Sequence, residues 1–140
     1  MTPLVVDASV WVAAADASDP FSGRSRAFLE AIANRGLQVA LPAHAHVEVA
    51  CALARRMRDG AAGRNLAARL LQAPAIEVYA LDAALLEQAG LRGTNALLRA
   101  GDAIYAALTA RVSGGLITWD QELVHRVDAS TPEMWLSENQ

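Results

Sequence analysis

Four carboxylates stand in strongly apolar stretches of this chain: Asp7 in LVVDASVWV, Glu48 in HVEVACAL, Asp102 in AGDAIYAAL and Asp120 in LITWDQEL. Burying an unpaired carboxylate costs several kcal/mol or raises its pKa. Carboxylates gathered together also repel one another, and a shared cation answers both problems. Oxygen donors without a cysteine or histidine cluster select Mg2+ or Mn2+. Such an ion keeps several waters, binds phosphate oxygens and can generate hydroxide for phosphodiester cleavage. Each acid also has a plainer reading. Asp7, Asp102 and Asp120 sit where helices begin, and acids there satisfy orphan N–H groups. Glu48 falls within a helical stretch, where a glutamate ordinarily faces water. Spacing alone does not bring the four together.

The elements that would position them alternate along the chain. Residues 3–6 form a short apolar run ended by Asp7, which reads as a buried strand, and 8–15 as a short helix. Asp19-Pro20 opens a helix to about Asn34, with Gly36 as its stop. Residues 37–41 read as a second strand, and Pro42 opens a helix to about Arg58, followed by Gly60. Residues 61–72 form another helix, stopped by Pro74. A third strand spans 76–81, and Asp82 caps a helix to about Leu91. Residues 93–101 read as a loop, and Asp102 starts a helix to about Val112. Gly114-Gly115 turns into a fourth strand at 116–118, Asp120 caps a short helix, and a fifth strand falls near 134–136. Short strands alternating with helices predict an α/β fold with a parallel sheet covered on both faces. Ligands of such sheets sit beyond the carboxyl ends of the strands, where strand order reverses. Asp7 and Asp120 fall at that kind of place.

Composition narrows the class. The chain has 140 residues, 54% hydrophobic and 19% charged, which excludes intrinsic disorder and suits one domain over 1–140. The single cysteine, Cys51, excludes a disulfide framework and any multi-cysteine zinc site, and fits a reducing compartment. The amino end lacks a basic n-region and is interrupted by Asp7, so it does not read as a signal peptide. No apolar stretch of about 18 residues suits a membrane span, and the expectation is a cytoplasmic protein with no membrane partner. The net charge is −3, and every one of the 12 basic residues is an arginine. Arginine suits phosphate through its planar fork, although a GC-rich genome explains the missing lysine equally well. Two bound divalent ions would reverse the sign of the net charge.

Together the motifs VVDASV, LPAHAHVEVACAL, GDAIYAALTA and GGLITWDQEL resemble the PIN-domain ribonucleases, and among them the small VapC-type toxins. The resemblance covers nearly the whole chain. It implies a three-layer α/β/α sandwich with a parallel sheet of four to five strands in the order 3-2-1-4-5. It implies that Asp7, Glu48, Asp102 and Asp120 form an acidic metal site for Mg2+ or Mn2+, with Thr118 supporting it through hydrogen bonds. It further implies hydrolysis of RNA, a homodimer, and a neighbouring antitoxin as partner. Trp119 departs from the pattern, which has a small or polar residue there.

Weaker signals have competing readings. Arg55, Arg56 and Arg58 cluster at the end of the Glu48 helix and could hold RNA phosphates or an antitoxin's acidic segment, or form a solvated face. His44 and Glu48 share a helix face four residues apart, but His44 and His46 read as surface or helix-start residues. Tyr105, three residues after Asp102, lines the site or packs in the core. Cys51, with Val47 and Ala54, reads as core, as do Trp11 and Trp135. Ser9 lacks the flanking glycines of a nucleophile elbow. No Gly-rich phosphate loop occurs. The competing functions are a catalytically inactive PIN-fold module that grips RNA or protein, and a different acidic-site hydrolase such as a phosphatase.

Overall fold

The structure is a computed structural model that describes residues 2–73 and 75–140. Its elements are β1 (Leu4–Val6), α1 (Ala8–Ala15), α2 (Ser22–Asn34), β2 (Val39–Pro42), α3 (Ala45–Met57), α4 (Gly60–Leu70), β3 (Ile76–Tyr79), α5 (Ala83–Ala96), α6 (Ala100–Arg111), β4 (Gly115–Ile117), α7 (Gln121–Arg126), β5 (Ala129–Ser130) and α8 (Pro132–Glu138). The five strands form one sheet in the order β3-β2-β1-β4-β5. Every neighbouring pair is parallel. The α/β/α layering and strand order implied by the resemblance are therefore present.

The central strands are buried throughout, which is why they read as continuous apolar runs. Val5, Val6, Leu116 and Ile117 are each at most 2% exposed. Burial of one such side chain contributes about 1.5–3 kcal/mol. Helix α6 lies across β1, β2 and β4, and α5 packs on α6. Helix α3 packs against α1 and α4, and α2 against α1 and α8. Trp135 meets Phe28 edge-on at 5.3 Å, and the Trp11 indole donates to the Val6 carbonyl at 3.1 Å. Both tryptophans belong to the core, as expected.

Several local expectations are corrected. Residues 93–101 are largely helical: α5 continues through Gly93 and turns only at Leu97, whose φ is 57°. Gly93 serves close helix packing, since a Cβ there would stand 2.6 Å from the Cβ of Ala103 on α6. The fifth strand is Ala129–Ser130, and residues 134–136 lie in α8. Thr131 caps that helix by accepting from Met134 N at 3.1 Å, and Pro132 suits its first turn. Pro42 ends β2 instead of opening α3. Asp19 binds Phe21 N at 2.8 Å, a local turn that delays α2 to Ser22. The expected stop at Pro74 lies outside the described residues. Cys51 and Val47 are exposed on α3, so the expected packing of Cys51 is overturned. The buried side of α3 carries Ala45, Val49 and Leu53 instead.

Candidate active site

Strand order reverses between β1 and β4, which pair in the register Val6↔Ile117. The residues that follow these two positions are Asp7 and Thr118. Asp7 stands at the N-cap of α1, yet its side chain makes no capping bond. Its Oδ2 instead accepts from Ser9 Oγ at 2.7 Å and from Thr118 Oγ1 at 2.9 Å. Asp7 is 7% exposed and Thr118 is 0% exposed. Two hydroxyl donors thus replace the water that burial removes. Each hydroxyl also accepts. Thr118 Oγ1 takes Asp120 N–H at 3.0 Å, and Ser9 Oγ takes Trp119 N–H at 3.1 Å. The ends of β1 and β4 are therefore tied through both hydroxyls.

The other acids arrive from three helices. Glu48 lies in the first turn of α3, Asp102 in the first turn of α6, and Asp120 caps α7 by accepting from Glu122 N at 2.9 Å. Burial raises the Glu48 carboxyl above its ordinary value, Tyr105 and His44 work against that rise, and Asp7 and Asp102 add to it. Burial likewise raises Asp102, opposed by Arg99 and reinforced by Asp7 and Asp120. These mutual effects mark a common field. Arg99 draws two of the acids together: Nε donates to Asp102 at 3.1 Å and Nη2 to Asp120 at 2.7 Å.

Behind Glu48 lies a half-hidden polar group. His44 Nε2 stands 3.4 Å from Glu48 Oε1, and the His44 ring packs 5.0 Å from that of Tyr105. Both His44 ring nitrogens, Glu48 Oε1 and the Tyr105 hydroxyl are buried without a well-formed hydrogen bond. Burial, then the Glu48 carboxylate, pushes the Tyr105 phenol well above its ordinary value. A Cβ at Gly101 would stand 3.1 Å from Glu48 Oε2, so this glycine leaves room for the carboxylate.

The donor set is all oxygen and acidic, with one buried glutamate oxygen lacking a partner. Those properties suit a hard divalent cation such as Mg2+ or Mn2+. Asp7, Glu48, Asp102 and Asp120 are the residues that could hold it. Among the described residues, no three histidine, cysteine, aspartate or glutamate side chains form a ready-made cage. Drawing the acids inward would require Arg99 to release Asp102 and Asp120.

A cavity of about 500 Å³ runs beside these acids, between α1 and α3, with Glu48 and Asp120 on its rim. Its α3 wall continues through Ala52 to Arg56, not to Arg55. Arg56 is held by Asp16 at 2.9 Å and Asp19 at 2.8 Å. Arg55 and Arg58 are exposed beyond the site. Ser9 and Arg99 are the residues that sequence reasoning missed. Ser9 is signalled by its place two residues after Asp7, and Arg99 by its place three before Asp102.

The PIN domain family matches residues 4–129, and the chain belongs to it. Among solved structures it is similar to PAE2754 from Pyrobaculum aerophilum, with 22% identity over 98% of this chain and 88% of that one, at a TM-score of 0.73. It is also similar to VapC20 of Mycobacterium tuberculosis, a sarcin-ricin loop cleaving toxin, with 23% identity over 87% of this chain and 93% of that one, at a TM-score of 0.73. A toxin–antitoxin complex from Klebsiella pneumoniae gives 18% identity over 92% of this chain and 97% of that one, at a TM-score of 0.65. Among curated proteins there is no significant match. Among the described residues no helix is long and apolar enough to cross a membrane.

Proposed function

We propose that this chain is a Mg2+- or Mn2+-dependent endoribonuclease and the toxin of a toxin–antitoxin pair. The observation that carries the reading is the buried Asp7, fixed by Ser9 and Thr118 at the point of strand reversal, with Asp102 and Asp120 joined by Arg99 and Glu48 beside Gly101. When bound, the cation would supply a nucleophilic water at neutral pH and charge stabilisation at the phosphoryl oxygens. Thr118 and Ser9 orient the Asp7 carboxylate. Burial raises the carboxyls of Glu48 and Asp102, and a bound cation would favour their charged forms. Membership of the PIN family and likeness in fold to VapC20 support the nuclease reading. The Klebsiella complex supports an antitoxin partner. The same reading makes the protein a single-domain cytoplasmic homodimer.

Arg99, bridging Asp102 and Asp120, favours a second reading in which the chain only grips RNA or a protein. One experiment separates the two. Purified protein, freed of any partner, is incubated with total RNA in Mg2+, Mn2+ or EDTA, beside Asp7→Asn. The nuclease reading expects cleavage that needs both the metal and Asp7. Cleavage that survives EDTA, or full activity in Asp7→Asn, would sink it.

A further inference from the structure

The cavity beside the acids has a wall that the cleavage chemistry leaves unused. Phe21 and Trp119 stack there, ring centroids 4.3 Å apart and planes 14° apart. Both side chains line the cavity together with the small residues Ala8 and Ala13. Trp119 is fixed from two sides: its indole donates to the buried Ser25 hydroxyl at 2.7 Å, and its backbone N–H donates to Ser9 Oγ at 3.1 Å. The Arg24 guanidinium lies 5.0 Å from the Phe21 ring centre and 5.5 Å from that of Trp119. Phe21 nevertheless keeps 37% of its surface exposed, at the start of α2. Phe21 therefore covers Trp119 while leaving part of its own ring open to the cavity.

Its neighbours suggest the use. Trp119 immediately precedes Asp120, and Ser9, which receives its N–H, also binds Asp7. The aromatic wall is therefore one hydrogen-bond step from the carboxylates. We infer that Phe21, backed by Trp119, is a stacking subsite for one unpaired nucleobase beside the phosphate that the carboxylate site handles. The inference deepens the RNA reading proposed above and rests on it. Unpaired bases are commonly recognised by stacking on aromatic side chains, and such contacts tolerate any base because every base has a π-face. Arg24 flanks the stack while its guanidinium is paired with Glu133, so the subsite rests on the aromatic faces. The cavity that these rings line, about 500 Å³, is large enough for a nucleobase.

The test reads binding apart from cleavage. A labelled six-nucleotide single-stranded RNA and a ribose-phosphate strand of equal length without bases are titrated by fluorescence anisotropy, in EDTA and again in calcium. The wild type is expected to bind the base-bearing strand about tenfold more tightly. Phe21→Leu keeps apolar bulk but removes the π-face, and should lose most of that preference while remaining folded, with a slightly lower melting temperature from the lost stack on Trp119. Phe21→Tyr should restore it. Equal binding of both strands by the wild type, or an undiminished preference in Phe21→Leu, overturns the subsite. Base-dependent binding without metal-dependent cleavage overturns the nuclease and leaves the subsite standing. Failure to bind either strand overturns the RNA reading and the subsite together.

Discussion

The guanidinium of Arg99 donates to the carboxylate of Asp120 at 2.7 Å while its own side chain is 71% exposed. Its Nε also holds Asp102. A monovalent cation thus lies against two of the four acids proposed to hold a divalent one. Arginine and metal compete for the same oxygens. Arg99→Gln is expected to raise Mn2+ affinity by about a few-fold, the scale of one or two exposed ion pairs. Isothermal titration on the purified protein measures this directly. Weaker binding in the variant would mean that Arg99 assists the site.

Thr118→Val tests the link between the two strands. The variant keeps the shape but loses the donor to Asp7 and the acceptor for Asp120 N–H. A buried partner left unsatisfied costs about 1–3 kcal/mol. The melting temperature should fall, and RNA cleavage should fall further than stability alone explains. A variant as stable and active as the wild type would show that Ser9 alone suffices to hold Asp7.

Much of this arrangement was legible in the sequence, and the exceptions have physical reasons. Asp7 and Asp120 end short apolar runs, so topology alone brings them near each other. Glu48 and Asp102 reach the same place only through helix packing, which no local pattern encodes; the family resemblance supplied them. Residues 93–101 were misread because glycine signals a break locally, whereas Gly93 lets α5 approach Ala103. Cys51 was misread because α3 is amphipathic with alanines on both sides, leaving the buried stripe undetermined by composition. The role of Ser9 lies in one rotamer and two hydrogen bonds, to Asp7 and from Trp119 N–H, which no local pattern encodes.

The buried acids give a pH signature. Burial raises Glu48 above its ordinary value of 4.5, so the folded state favours the neutral acid more than the unfolded chain does. A raised carboxyl contributes stability that is fully present below the unfolded value and is lost as pH rises through the folded one. In EDTA, Glu48→Gln should therefore gain on the wild type as pH rises from about 4.5 through the raised value of Glu48, and hold that gain above it. Mn2+ should narrow the gap at neutral pH, because only the wild type offers the cation a carboxylate at position 48. Melting curves across pH, with and without Mn2+, provide the check. A gap independent of pH would show that Glu48 is not held in the buried state described here.

Two glycines separate the fold from the site. A Cβ at Gly63 would stand 2.5 Å from the backbone N of Ala54, where α4 crosses α3. Backbone cannot swing aside, so Gly63→Ala should destabilise by about 1–3 kcal/mol, the usual cost of overpacking. A Cβ at Gly101 would instead meet Glu48 Oε2 at 3.1 Å and His44 Nε2 at 3.8 Å, both ends of flexible side chains. Alanine is also the better helix former, by about 0.8–1.0 kcal/mol. Gly101→Ala should therefore keep or slightly raise the melting temperature in EDTA while pushing the Glu48 carboxylate a few tenths of an ångström from its place. Its Mn2+ affinity and its RNA cleavage should both fall. A Gly101→Ala protein that binds Mn2+ as the wild type does, together with a Glu48→Gln protein that does the same, would remove Glu48 from the proposed ligand set.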